Sequence, residues 1–334
     1  METNGIHITA SQPVAVYAMD YDPTASTAFT AYPTPLLGTN YCLMAYPGFR
    51  SDLPSEFSIV ATEDNTTVRI APAATADLVG GYANAYYLSL NQGQTYQNAS
   101  LNGGADVTGT WIVSDKPIGV FAGDGLAFVP DLNTWAGNPL VQEQLPVEQW
   151  GMQALSMGFA GRTKGDTYRI LAANDNTVVR TNGVVAGTNQ AGQCLEMIID
   201  GPVEFQGSKP IQVAQFANGY MFDNALDGDP CEILLPPTGH YLLTNTVVTP
   251  TYNPGFDENY LNIIVTKSAI TNMLVDGSHI AATNFVAIGT SGYSGAQVAV
   301  TNGVHKVTSS QPVEVQVYGF GDTDAYGYFG GLVK

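Results

Sequence analysis

The sequence predicts an all-β protein: tandem β-sandwich-like modules of about 100 residues, three repeats in all. Three observations carry this. One proline phrase recurs four times, ending at Pro13, Pro117, Pro210 and Pro312. Short β-branched runs of period two are broken by turn residues at the spacing of small sandwiches. No segment holds a long helical pattern; only residues 141–159 could be helical, and Pro146 inside them opposes it.

The proline phrase reads as a strand, a tight turn and a second strand. Ser-Gln or Ser-Lys before Pro is polar turn chemistry, and Pro presets φ near −65°. Proline lacks an N–H, so it suits the start of the following strand. After it come runs such as Val14-Ala15-Val16 and Val313-Glu314-Val315.

A second phrase reads as a hairpin, an apolar strand ending at Asp64-Asn65 or Asp175-Asn176 and a β-branched strand returning. Its third copy is degenerate, running from Asn259 to Asp276-Gly277. A third phrase carries Gln-Gly93-Gln and Ala-Gly192-Gln. A fourth is a strand marked by Pro33, Pro146 or Pro236-Pro237, each followed by an aromatic or apolar segment.

These phrases divide the chain into a first β module at residues 1–104, a second at 105–202 and a third, with a closing hairpin, at 203–334. The count is uneven, with four proline phrases and three Asp-Asn-type phrases. One of the four copies therefore lacks strands that the others have. A sandwich without those strands exposes a sheet edge. The segment from Gly5 to Tyr17 is expected to pair within the chain, to fray as a truncated terminus or, the favoured reading, to pair with an upstream domain or another subunit.

Charged residues are 12% of the chain, against 45% hydrophobic, so surface polarity comes from uncharged side chains, as on many extracellular β-proteins. Net charge is −18, with 11 basic and 29 acidic residues. That balance excludes nucleic acid, whose phosphates need Lys and Arg, and disfavours an anionic membrane surface. No run of about 18 apolar residues exists, so direct membrane insertion is not expected. Met1 to Gly5 shows no secretory leader; for an exported protein, leader and anchor are expected outside these residues. Cys42, Cys194 and Cys231 have no C-x-x-C spacing, and their odd number gives no disulfide framework; buried small hydrophobes is the plain reading.

No nucleophile elbow, HExxH, Walker A or dinucleotide motif is present. The four histidines have no metal-ligand spacing, and His7 and His305 fall at equivalent places in two copies of one phrase, a structural sign. Acidic loops are the feature to weigh. Asp223, Asp227 and Asp229, set around a Gly, are the candidate ligands for Ca²⁺, the one cofactor the sequence suggests. The competing reading is turn-forming Asp in solvated loops. Tyr21, Asp22, Asp322, Asp324, Tyr326 and Tyr328 are candidates for a protein or glycan surface, against core and cross-strand packing.

Together the phrases resemble the N-terminal domain of the IgGFc-binding protein family, in its bacterial surface-protein branch. The match lies in residues 106–123, residues 141–151, the 61–68 segment and the closing 324–331 segment, in family order across nearly the whole chain. The family usually has Cys and His just before the Glu-Gln-Leu-Pro phrase; here Asn138-Pro139-Leu140 stand there, so no role of those positions carries over. The family domain also usually opens with an extra region before the first phrase. The resemblance implies an extracellular or cell-surface location and an adhesive or mucus-like structural role. It does not imply IgG binding, since no Fc-contact residue maps onto this sequence. The expected function is an adhesive or structural module, not an enzyme, that recognises protein or glycan through loops at module ends. A subunit of an extracellular filament and a glycan-active enzyme with paired carboxylates are the alternatives.

Overall fold

The structure, a computed structural model, describes residues 2–225, 227–251 and 255–333. Strands take 52% of residues and helix 6%, so no helical layer covers any sheet and the all-β class holds. A hairpin of β1 (Val16–Asp20) and β2 (Thr27–Ala31) comes first. A seven-stranded sheet follows: β3 (Gly38–Cys42), β4 (Ser55–Ala61), β5 (Thr66–Ala71), β6 (Tyr86–Leu90), β7 (Thr95–Ala99), β8 (Trp111–Phe128) and β9 (Gly137–Glu143). The second, also of seven, holds β10 (Gly151–Ser156), β11 (Asp166–Ala172), β12 (Thr177–Thr181), β13 (Val184–Asn189), β14 (Cys194–Ile199), β15 (Val203–Phe216) and β16 (Glu232–Leu235). The third, of eight, holds β17 (Leu242–Thr249), β18 (Glu258–Thr266), β19 (Leu274–Val275), β20 (Ser278–His279), β21 (Val286–Ala287), β22 (Tyr293–Val300), β23 (Gly303–Gly321) and β24 (Asp324–Phe329). First, second and third module denote these three sheets from here on, residues 38–143, 151–235 and 242–329. The 141–159 segment forms parts of β9 and β10 around a short 3-10 turn, Val147–Gln149.

Three of the proline phrases do not turn. They are the middles of β8, β15 and β23, and the expected tight turn is corrected to one long, continuous strand. What breaks is the ladder. Residues 111–114 of β8 pair with β5 and residues 118–124 with β4, while on the other edge the register with β3 shifts between Val113 and Ile118. Pro117 falls in the gap, where no amide hydrogen is needed. In β15 the gap lies between the residues facing β12 (205–207) and β11 (211–216), around Pro210. In β23 it lies between those facing β19 (307–308) and β18 (313–320), around Pro312.

The Asp-Asn phrases are likewise not hairpins. β4 and β5 run one after the other in the same direction along the same edge of β8. Asn65 (φ 54°) and Asn176 (φ 56°) enter the left-handed region that Asn tolerates best after Gly, which lets the strand jog and continue. β6 and β7 do the same along β5 and β4. The jogs lie side by side: the Gln92 N–H donates to Asp64 Oδ1 (3.1 Å) and the Thr67 N–H to Asp115 Oδ1 (2.8 Å). In the second module the Ala191 N–H donates to Asp175 Oδ1 (3.0 Å) and Lys209 Nζ to the Asp175 carbonyl (2.6 Å). Each sheet thus bends along one line, as strands do when they switch between the layers of a sandwich. The first module's core, with Ile59, Val68, Ile70, Ile112 and Val120, draws on strands from both sides of the bend. In the third module Asp276-Gly277 instead turns β19 into β20, the place that Asn182-Gly183 holds between β12 and β13; the jog after β18 is a 3-10 segment, Lys267–Asn272.

β2, β9, β16 and β24 each pair with one strand only, and each packs beside two of the others in a closed ring. Their partners share one register, with Tyr17↔Thr30, Phe121↔Glu143, Ala214↔Leu234 and Gln316↔Phe329. The hairpin thus repeats the pairing of β8 with β9, β15 with β16 and β23 with β24. Aromatic pairs repeat around the ring: Phe121 of the first module meets Phe29 of the hairpin (5.3 Å), and Tyr17 of the hairpin meets Tyr328 of the third module (4.6 Å).

An unpaired strand edge is a row of exposed backbone polar groups, so four edges around an axis need partners. β9 supplies them. Asn138 Nδ2 donates to the carbonyls of Ser26 (2.9 Å), Pro230 (3.0 Å) and Ala325 (3.1 Å). Gln142 Nε2 donates to those of Ala28 (2.9 Å), Glu232 (2.7 Å) and Gly327 (3.3 Å), each two residues further along. Around this axle lies the largest apolar cluster, including Tyr46, Trp150, Tyr168, Phe216 and Phe329.

Candidate binding surface

The acidic loop after β15 folds inward. Asp223 ends a single helical turn, Tyr220–Asp223, and its Oδ1 accepts the backbone N–H groups of Thr163 (3.0 Å) and Lys164 (2.6 Å). Asp229 is buried, and burial, with the nearby Asp324 charge, pushes its carboxyl up to about 7. Asp227 is exposed; Leu226 of this loop lies outside the described residues. The cation the loop holds is Arg162, whose Nη2 donates to the carbonyls of Asp227 and Gly228 (3.2 Å each) and whose guanidinium stands 4.2 Å from the Phe320 ring centroid. Among the described residues, no three His, Cys, Asp or Glu side chains converge to hold an ion.

The other acidic and aromatic candidates split in two. Asp324, Tyr326 and Tyr328 are buried. Asp324 takes the Ser26 N–H (2.7 Å) and hydroxyl (2.6 Å), tying the hairpin to β24, and the Tyr326 hydroxyl donates to Asn259 Oδ1 (2.6 Å). These three hold the ring together and offer no surface to a ligand. Asp22 and Asp322 are exposed and Tyr21 is half-buried, but they do not join the buried three in one patch. The cysteines are free thiols, two buried and Cys194 half-buried; burial pushes the Cys231 thiol up to about 12. His305 is buried against Asp276 (2.7 Å), a residue of the β19–β20 turn, whereas His7 is exposed.

That contrast extends along the whole first copy. In the first module Ile112, Ile118, Val120 and Ala122 lie in the core at 0–1% exposure. The residues at the same offsets from Pro13 are Ile8, Val14, Val16 and Ala18. Ile8 is 57% and Val14 63% exposed, and Val16 and Ala18 are half-buried. Residues 6–15 join no strand, and β1 pairs only with β2, where β8, β15 and β23 also pair with β4, β11 and β18. Glu2 and Gly5 reach across to Thr95 and Gly93 by backbone bonds (3.1 Å each) and hold the segment's start beside β7. The hairpin's other face is anchored: Thr30 Oγ1 donates to the Phe329 carbonyl, the Tyr32 N–H to Glu143 Oε2 (2.7 Å), and the Tyr17 hydroxyl to the Gly330 carbonyl (2.6 Å). The hairpin is thus held to its neighbours while Ile8 and Val14 stand exposed.

Fold and surface define an all-β scaffold of curled antiparallel sheets, with β1 paired on one side to β2. Residues 27–319, more than half of the chain, match the family described as IgGFc binding protein, and the chain belongs to that family. It is 24% identical to the IgGFc-binding protein of Homo sapiens over 330 residues, covering 97% of this chain but 6% of the human protein's length. No solved structure matches. No helix among the described residues is long and apolar enough to cross a membrane.

Proposed function

We propose that this chain is an extracellular or cell-surface binding module, not an enzyme, that engages protein partners in an adhesive or structural assembly. Family membership supports protein binding, and the human relative carries Fc binding in its name. The observation that carries the reading is the first copy's outward apolar face: Ile8 and Val14 are exposed where their counterparts elsewhere are core. Exposed apolar residues leading into a strand with an unpaired edge suit strand addition, where main-chain bonds give affinity and alternate side chains give specificity. The test is immobilised protein probed with an array of host and matrix proteins, immunoglobulin G Fc among them. Saturable binding to a protein is expected; an array silent for proteins overturns the reading.

A second surface favours loop recognition. Leu132 (62%) and Trp135 (63%) stand exposed on the loop after β8, with the Trp135 ring 5.3 Å from Phe128. An exposed, ring-braced indole suits a sugar face as well as a protein. Glycan binding lost in Trp135→Ala supports this reading, and a glycan array with no hits removes it. Turnover of common glycosides by the purified chain would overturn the non-enzymatic part.

A further inference from the structure

We propose that His305, as an imidazolium, latches the tip of the β19–β20 hairpin to β23, and that loss of its proton as pH rises frees that tip. The ring is buried, at 5% exposure. Nδ1 lies 2.7 Å from Asp276 Oδ2, and Nε2 lies 2.7 Å from the Thr301 carbonyl oxygen. A carbonyl oxygen can only accept, so Nε2 carries a hydrogen. Burial raises the Asp276 carboxyl, but the bonds from His305 and the Lys306 N–H outweigh it and hold the group below its ordinary value. An ionised carboxylate also only accepts, so Nδ1 carries a hydrogen too. The doubly protonated ring makes both bonds, and the neutral ring has to give one up.

The second module has the same tie without the proton. Asn182 and Asp276 both stand in the left-handed region, at φ 47° and 51°, each just before a Gly. The Asn182 N–H donates to the Glu204 carbonyl (2.9 Å), and Asn182 Oδ1 accepts the Glu204 N–H (2.9 Å). The Asp276 N–H donates to the Lys306 carbonyl (2.9 Å), and Asp276 Oδ1 accepts the Lys306 N–H (2.8 Å). Before Glu204 comes Val203, where the third module has His305. Asp in place of Asn and His in place of Val together add a bond that titrates. Val275 roots this hairpin in the core, but β19 meets β23 only through Leu274↔Thr308 and Val275↔Val307, so the tip depends on Asp276. His279, Ile280 and Asn284 form a groove with Gln297 and Ala299 of β22, and release of the tip widens it. The ionisable groups on the elements around the ring are Asp276 and His279 of the hairpin, Lys306 of β23, Glu258 of β18, Tyr293 of β22 and Tyr328 of β24; β17, opposite the ring at Val247, carries none.

The experiment follows amide exchange of the whole chain at about pH 5.5 and about pH 8, corrected for intrinsic exchange, with the second module's 177–189 hairpin as reference. A pH effect on the whole fold moves both hairpins, whereas the latch moves residues 274–281 alone. Those residues are expected to lose about tenfold or more of their protection at the higher pH beyond any change in the reference. Asp276→Asn, at an exposed turn position, lets the neutral ring accept at Nδ1, so its hairpin is expected to stay protected at both pH values. His305→Val, which installs the second module's residue, is expected to flatten the response as well. Ring-nitrogen NMR reads the proton directly, with His305 doubly protonated at the lower pH and neutral at the higher. A ring that keeps one protonation state, two hairpins that lose protection in step, or a response kept in full by Asp276→Asn overturns the latch. A response lost in His279→Gln assigns the switch to His279 and overturns it equally.

Discussion

Arg169 binds the first module to the second. It is buried on β11, and its Nη2 donates to Asp106 Oδ2 at 2.8 Å while its Nη1 reaches Thr108 Oγ1 (3.1 Å) and the Ala45 carbonyl. Its Nε lies 3.1 Å from Glu196, an ion pair without the alignment of a hydrogen bond, and its guanidinium sits 5.0 Å from the Tyr46 ring centroid. Removing one partner of a buried pair leaves the other charge uncompensated. Arg169→Ala is expected to cost about 3–5 kcal/mol in urea unfolding, with Arg169→Lys recovering only part, since one ammonium lacks the planar fork that reaches Asp106, Thr108 and Ala45 from two nitrogens. A loss under about 1 kcal/mol would mean the modules are joined by packing alone. Asn138 matters similarly: Asn138→Leu strands three carbonyls on the axle, at about 1–3 kcal/mol. Neither role was legible in the sequence. Asn138 stood out only as a departure from the family pattern, and Arg169 as one cation in an acidic chain; their hydrogen-bond partners are 61 to 187 residues away.

At the scale of elements, the recurring phrases located the strands and misread their direction. Pro117, Asp64-Asn65 and Gln-Gly93-Gln look like turn chemistry because each interrupts a ladder. A local sequence cannot tell a strand that reverses from one that jogs and continues, because the difference is which partner it meets next. The left-handed residue is testable. Asn65→Ala is expected to cost about 1 kcal/mol or more in chemical unfolding, as a β-carbon is strained at this φ, while Asn65→Gly is tolerated. Equal losses for the two would show that the Asn65 side chain, not its backbone, is what the jog needs.

The whole molecule carries an unusual set of buried carboxyls. Burial pushes Glu143, Glu232 and Glu314 up to about 8 and Asp166 up to about 7; the backbone bond from Tyr32 offsets part of the rise at Glu143. In the unfolded chain such groups ionise near 4. Between those values the folded state holds more protons than the unfolded one, so stability falls as pH rises. Below about pH 4 this contribution is complete, and it is lost as pH climbs through 7 and 8. Melting temperature is therefore expected to decline from pH 5 to pH 8, with a shallower decline in Glu232→Gln, whose carboxyl has no hydrogen-bond partner. A melting temperature that rises over that range would show that these groups are ionised in the fold.

The sequence by itself determined the all-β class, the repeat, the position of each interruption and the family, since these depend on propensity and pattern within a few residues. Only tertiary structure decided that the proline phrases stay extended, that Asp324, Tyr326 and Tyr328 belong to the core, and that four outer strands close around Asn138 and Gln142. The reason is physical. Strand propensity acts through neighbours in the chain, whereas the ring and its polar axle depend on residues that meet only after the modules have packed.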